Sequence, residues 1–469
     1  MAFSVKLVIP ELYQLLLIGA LFIQSIAPEN RFPRAGQWLP WLAGAGVVIS
    51  LISLHFSGTL FLGAYQVDPL SQFFKMTVSL GFAIAVLNAI RQPTLDKDKQ
   101  TEYFLFMALS AWGLMLLSST VELISIYLAL EVASFSLFPL VPLRSEERGA
   151  AEAGIKYIFF GAAATAIGLF GFSLILASQH TTYLNHLAQK PWAWSAAPMA
   201  VTGLTLFLSG LLFKLALFPF HFWAPDVYQG ASNETAAYIS TLPKVGAVVI
   251  LIRFSMLWTP WLEITTILAL LAGISITYGN LAALIQKDIK RLLGYSAVAH
   301  AGYVMIGLIP GTAWGTAAAA FYIFVYVLMN FVCFWVVCRV STDGKNLNLD
   351  DLDGLHRRSP GLALILAVGA VALVGLPPTA GFMGKLFLLT AAWNHGYNWL
   401  IVVAALNVAI SIYYYLNLVR HAYAHEPASQ ASAPISRPFF SLLWGGCLAG
   451  LVILFGILPG MIFKFLLPP

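Results

Sequence analysis

Residues 210–225 read GLLFKLALFPFHFWAP, so Lys214 stands inside an apolar run that Pro219 interrupts five residues later. A run this apolar belongs in lipid. There, a charge near the bilayer centre costs about 2.5–3.5 kcal/mol, and a proline-broken backbone is tolerated only inside protein or against a wet cavity. The same elements recur in residues 371–389, VALVGLPPTAGFMGKLFLL, where Lys385 follows the stretch from Gly375 to Gly381. At about 34 residues, the apolar segment around it exceeds the roughly 20 needed for one crossing and fits two half-helices.

Three further charges lie in apolar surroundings: Lys75, Lys244, and Glu131 within ELISIYLALEVASFSLFPL. Left unpaired, the five would together cost about 12–17 kcal/mol. Five ions stationed at that cost predict a path for charge.

Composition fixes the class around these residues. Of 469 residues, 59% are hydrophobic and 10% charged, with a mean hydropathy of +0.82, values far from those of soluble domains. The chain reads as an all-α polytopic membrane protein. Cys333, Cys338 and Cys447 all lie in apolar runs, which excludes a disulfide framework and a CxxC metal site. The N-terminal stretch MAFSVKLVIPELYQLLLIGALFIQS lacks a small-residue cleavage site and reads as a retained first span. The formal charge of +5 collects in loops on one side, so it reports topology and not nucleic-acid binding.

Segmenting by span length gives fourteen apolar stretches: 7–27, 38–56, 69–90, 103–119, 121–143, 152–178, 199–223, 235–257, 260–284, 290–310, 315–340, 360–393, 398–420 and 438–466. The longest connections, 341–359 and 421–437, are polar surface loops. Odd-numbered connections, taken with the span ends that flank them, carry nearly all the loop cations, among them Arg31, Lys97, Arg144, Arg291, Arg357 and Arg437, whereas even-numbered ones, taken the same way, carry only Lys190 and Arg253. Positive residues gather on the cytoplasmic side, which places both termini outside. Spans 4–8 and 9–13 then form two five-helix units, inverted relative to each other, and the interrupted spans 7 and 12 are the fourth of each. Paired broken helices at corresponding positions point to an ion or substrate site in inverted-repeat transporters. The expected organisation is a three-helix segment over 1–102, a first repeat over 103–258, a second over 259–420, and a polar loop with a C-terminal helix over 421–469.

The buried groups suggest how charge could move. Desolvation favours a neutral lysine amine and a nearby carboxylate favours the ammonium. At about 4 Å and an effective dielectric near 20, such a pair is worth on the order of 4 kcal/mol. Moving Glu131 away from Lys214 would therefore release the lysine's proton; the competing reading is a static interhelical bridge that only sets packing. Lys75, seven residues after Asp68, could pair locally or snorkel to the interface. Glu122 marks the outer end of its span, facing away from Glu131. His221 lies seven residues from Lys214, roughly one helical face, and His300 sits mid-span in GYSAVAHAGYVMIGL. Histidine titrates near neutrality and can pass protons along water, although a buried histidine is often only a packing residue. No metal-ligand spacing, glycine-rich nucleotide turn or Ser/His/Asp set is present, so no cofactor or metal is expected on this chain.

Four stretches, FKLALFPFHFWAPDVYQGAS, LPKVGA, GNLAALIQKDIKRLLGYSAVAHAGYVMIGL and GLPPTAGFMGKLFLL, resemble the antiporter-like subunits of proton-pumping NADH:quinone oxidoreductase (complex I). WAPDVYQGA and SAVAHAGY are most similar to the N-type branch. The resemblance runs from the third span onward. It implies fourteen helices in two inverted five-helix repeats with broken helices 7 and 12, and it matches Glu131, Lys214, Lys244 and Lys385 to the family's charged axis. The chain's end after span 14, without a long lateral helix, also matches that branch. NAD, FMN, iron–sulfur clusters and quinone are implied on other subunits. Implied partners are the antiporter-like M subunit, small K- and J-type subunits and membrane lipids. The implied location is a bacterial plasma membrane, with a thylakoid or other energy-transducing membrane as the alternative. A cation/proton antiporter subunit, a subunit of a membrane-bound hydrogenase-type complex, and a non-conducting scaffold are the rival functions.

Overall fold

A computed structural model describes residues 5–27, 34–144, 148–258, 262–393, 395–424 and 439–467. Arg31, Arg437 and most of the expected 421–437 loop lie outside them. In chain order the elements begin with α1 (Ile9–Ile26), α2 (Ala35–Ile52), β1 (Gly58–Leu60), β2 (Tyr65–Val67), α3 (Pro69–Ala89), α4 (Gln100–Ser119) and α5 (Leu123–Phe135). Next come α6 (Arg148–Gln179), α7 (Leu184–Leu187), α8 (Pro198–Leu215), α9 (Trp223–Gly230), α10 (Asn233–Ile239), α11 (Leu242–Trp258) and α12 (Leu262–Leu284). The last are α13 (Ile289–Leu308), α14 (Ala313–Val340), α15 (Leu355–Arg358), α16 (Pro360–Val374), α17 (Ala380–Ala392), α18 (Asn398–Ala424), α19 (Phe439–Ile457) and α20 (Gly460–Leu466).

Among the described residues, 12 helices are long and apolar enough to cross a membrane by length and composition. The other two expected spans are occupied by α13 and by the pair α16 and α17. Helix starts follow local chemistry. Asp68 accepts the Ser71 amide at 2.7 Å ahead of Pro69, Asp288 accepts the Arg291 amide at 2.9 Å, and Thr312 accepts the Gly315 amide at 3.1 Å.

The chain divides into two compact units, Met1–Leu215 with Leu242–Ile264, and Ala216–Thr241 with Thr265–Pro469. The first is built on α6 packed along α8, with α4 between α1 and α5, and α11 against α3, α4 and α8. Glycine sets the approach of α6 to α8. A Cβ on Gly171 would lie 2.5 Å from the Gly203 carbonyl oxygen, and one on Gly203 would lie 2.6 Å from that of Gly171. Small residues at such crossings replace the hydrophobic drive that lipid removes. The antiparallel ribbon of β1 and β2 closes the unit before α3.

In the second unit α14 is the axis: its apolar window is wholly buried, as expected of a helix that is hydrophobic all round. Helices α10, α13, α16, α17 and α19 pack around it. Both interrupted spans break as their sequences predict. Helix α8 stops at Leu215, and Ala216 follows with φ +60°. Helix α16 stops at Val374, Gly375 takes φ +85°, and α17 restarts at Ala380.

Candidate functional site

In the first unit Glu131 lies on α5 and is buried. The Thr165 hydroxyl of α6 donates to its Oε1 at 2.9 Å, and its Oε2 has no hydrogen-bond partner. Lys214, in the last turn of α8, donates from Nζ to the Ser134 hydroxyl at 2.6 Å. Glu131, Thr165, Gly210, Leu211 and Lys214 line one cleft. The expected direct contact between Glu131 and Lys214 is not made: Ser134, one turn after Glu131, receives the ammonium instead. The carboxylate still acts on Lys214 electrostatically.

Lys244, buried in the first turn of α11, donates to the Leu215 carbonyl at 2.5 Å. That carbonyl closes α8, where the chain breaks and the last turn leaves acceptors without partners. In the second unit Lys385 of α17 repeats this arrangement. Its Nζ donates to the carbonyls of Val374 at 2.7 Å and Leu373 at 3.1 Å, the end of α16, and lies 4.6 Å from the Tyr303 ring centroid. A cation at the C-terminal end of a helix is favoured by the helix dipole. Gly375 is required twice there, by its left-handed φ and because a Cβ would sit 2.9 Å from the Lys385 Cδ. Among the described residues no carboxylate lies within ion-pair distance of Lys214, Lys244 or Lys385.

His300 on α13 is enclosed by tyrosines: Nδ1 is 2.6 Å from the Tyr322 hydroxyl and Nε2 is 3.1 Å from that of Tyr415. Tyr415 is hydrogen-bonded in turn to Ser296. The imidazole therefore has a hydroxyl at each nitrogen, the arrangement a proton shuttle needs. His221 differs from the sequence reading. Because α8 ends at Leu215, the seven-residue spacing from Lys214 gives no shared helix face, and the His221 ring packs against Phe218, Phe222 and Tyr278.

Lys75 also departs from expectation. It is fully buried and ion-paired at 2.6 Å with Glu11 of α1, whose Oε1 accepts the Tyr65 hydroxyl at 2.5 Å. Asp68, the expected local partner, is held by Arg253 through contacts of 2.9 and 3.1 Å. Glu122 is the N-cap of α5, accepting the Ser125 amide at 2.8 Å. Burial pushes its carboxyl up, but hydrogen bonds from Thr182 and Ser125 prevail and hold it below the ordinary carboxylate range.

Sequence reasoning missed two buried acids. Glu11 lies inside the stretch 7–27 and a complete inventory of charges in that stretch would have found it. Glu234, 4% exposed, sits one residue outside the 235–257 boundary. Lys290, at the very start of the stretch 290–310, is buried and donates to the Ala231 carbonyl at 2.6 Å. The fold also gathers Asp350, Asp353 and His421, which sequence spacing does not reveal as a metal set. His421 is hydrogen-bonded to Asp353 at 2.6 Å, and Asp350 is exposed.

Residues 120–411 match the family described as NADH:quinone oxidoreductase/Mrp antiporter, transmembrane. The chain is 57% identical to NADH-quinone oxidoreductase subunit N 2 of Solidesulfovibrio magneticus, over 98% of this chain and 97% of that protein. A chain in the structure of respiratory complex I from Thermus thermophilus with bound Aureothin is 31% identical, with a TM-score of 0.84 over 97% of this chain and 99% of that one. A chain of the Mrp complex from Dietzia sp. DQ12-45-1b, 18% identical with a TM-score of 0.85 over 99% of this chain and 96% of that one, shares the fold.

Proposed function

The chain belongs to the NADH:quinone oxidoreductase/Mrp antiporter family of membrane subunits, and on that premise we propose that Glu131, Lys214 and Lys244 relay protons in the first unit and His300 and Lys385 in the second. It is an antiporter-like, proton-translocating subunit of the N type in a NADH-quinone oxidoreductase, a multi-pass membrane protein whose partners are other subunits of that respiratory complex. The enzyme is a proton-pumping translocase.

One observation carries the assignment of residues. Three buried lysines place their ammonium groups on neutral oxygens: a hydroxyl at Ser134 and main-chain carbonyls at Leu215, Leu373 and Val374. Such acceptors bind an amine as well as an ammonium, so each lysine can gain or lose a proton without a buried carboxylate being stranded. Glu131, with one oxygen unpartnered, is the group whose movement would bias Lys214. Redox energy released on other chains would drive that movement. NAD, FMN, iron–sulfur clusters and quinone would reside there too, the M-type and small K- and J-type subunits would be neighbours, and a bacterial plasma membrane would be the site. Transport would run from the side of the basic loops outward, through two inverted five-helix repeats. His221, packed among aromatic rings, and Lys75, paired with Glu11, fall outside this relay.

Reconstituted complex carrying Lys214→Ala or Glu131→Gln should translocate fewer protons per electron than the wild type. A full yield in both variants defeats the assignment.

A further inference from the structure

Glu234 is the one buried acid of the second unit's α10 that the relay does not use. It is 4% exposed, and its Oε2 has no hydrogen-bond partner. The charges acting on it are those of Lys290 and Arg339, and the Cys338 thiol is hydrogen-bonded to it. This end of the unit is tied to the basic loops: Asn233 donates to the Lys345 carbonyl at 3.3 Å, Asn346 to the Gln229 carbonyl at 2.8 Å, and Arg291 pairs with Asp226 at 2.7 Å. Positive loops mark the cytoplasmic side.

From Glu234 a polar stripe runs along α14. Cys338, Asn330, Tyr326 and Tyr322 lie at spacings in multiples of four, a row that turns about 40° around the helix axis at each step, so successive members are neighbours although its two ends face different ways. Only Phe334 interrupts the series. Asn330 is 1% exposed, and its Oδ1 has no hydrogen-bond partner. Its Nδ2 donates to the Tyr326 carbonyl at 3.2 Å, and the Tyr326 hydroxyl donates to the Ser240 carbonyl at 3.2 Å. The Tyr326 ring centroid lies 5.1 Å from that of His300, and Tyr322 hydrogen-bonds the same imidazole. Two unpartnered buried polar atoms, Oε2 of Glu234 at the head of this row and Oδ1 of Asn330 between it and His300, are not what a packing face requires, since buried polar groups are ordinarily satisfied.

We infer that Glu234 is the proton-loading carboxylate of the second unit, and that the stripe of Asn330 and Tyr326 leads from it to His300. This rests on the relay reading of His300 and Lys385. The Glu234 carboxylate takes one proton from water on the basic-loop side and becomes the neutral acid. It gives that proton to water held along Asn330 and Tyr326, which passes one on to the His300 imidazole. Glu234 is then again a carboxylate and His300 an imidazolium. The imidazolium returns to neutral as the Lys385 amine becomes an ammonium.

The test measures protons translocated per electron, alongside quinone reductase activity, in the reconstituted complex with Glu234→Gln, Glu234→Asp, Asn330→Leu and Lys385→Ala. Glu234→Gln and Asn330→Leu should lower the yield to the level of Lys385→Ala, and Glu234→Asp should recover more than half of the loss. A purely structural glutamate would change assembly and reductase activity together, without that split. A wild-type yield in Glu234→Gln, with Lys385→Ala lowered, overturns the loading role and leaves the relay intact. If Glu234→Gln does not assemble, Asn330→Leu decides, and a wild-type yield there overturns the path. A wild-type yield in Lys385→Ala as well defeats the relay reading itself.

Discussion

Removing the Glu11 carboxylate isolates what one buried ion pair contributes. Glu11 and Lys75 are 2.6 Å apart with side-chain exposures of 4% and 0%, and the Tyr65 hydroxyl shares the same carboxylate oxygen. Glu11→Gln leaves an ammonium without a counter-charge, and Lys75→Met leaves a carboxylate whose remaining donor is Tyr65. Breaking one side of a buried pair costs about 3–5 kcal/mol, whereas replacing both ions with apolar groups of similar volume is often close to neutral. Each single variant should therefore lose about 3–5 kcal/mol, and the double variant Glu11→Met with Lys75→Met should fall within about 2 kcal/mol of wild type. Unfolding of the detergent-solubilised chain by denaturant titration, followed by tryptophan fluorescence, reads these differences. Additive losses would refute the pairing. The same double variant, reconstituted in the complex, should translocate protons at the wild-type yield. If it folds as the wild type does but pumps poorly, Lys75 belongs to the relay after all.

Two further outcomes follow from single contacts. For Asp68, burial raises the carboxyl, but the Arg253 guanidinium with the Ser71 amide and hydroxyl outweighs it and holds the group below its ordinary range. A folded value below the unfolded one gives stability that is present above the unfolded value of about 3.9 and is lost as pH falls through the folded value. Asp68→Asn should therefore lower Tm at neutral pH and flatten its decline towards acid, and superimposable profiles for the two proteins would contradict this. Gly375→Ala forces an L-residue into the left-handed region at about 1–2 kcal/mol and presses a methyl against the Lys385 stem. Membrane insertion should survive and the proton yield should fall; an unchanged yield would mean that the Lys385 position is not critical.

What could be read in advance was local. The breaks at Ala216 and Gly375 follow from proline and glycine chemistry within a few residues, and the burial of Lys214, Lys244 and Lys385 follows from charge standing in apolar runs. The partners were not legible, because they come from distant chain. Ser134 lies 80 residues from Lys214, and Tyr415 lies 115 from His300. The acceptors of Lys244 and Lys385 are main-chain carbonyls, which every residue has, so no side-chain pattern marks them. Glu234 escapes the sequence reading because the apolar stretch 235–257 begins one residue after it, within the ordinary uncertainty of a helix end.

The contrast among the lysines decides which of them can carry protons. Lys75 faces a carboxylate at 2.6 Å, and at an effective dielectric near 20 a contact of even about 4 Å is worth about 4 kcal/mol. That is about three factors of ten towards the ammonium, a bias that no carboxylate gives Lys244 or Lys385. Lys244 faces the end of one broken helix, and Lys385 the end of the other beside the Tyr303 ring; at a helix end a cation gains about 0.3–1 kcal/mol, up to about 2 when partly buried. A modest change in field there moves the balance. The breaks therefore do two things at once: they open the backbone at membrane depth, and they supply acceptors weak enough to release what they hold. A carboxylate introduced beside Lys385 should abolish turnover by holding the proton, although it would make the site more polar and the pairing stronger.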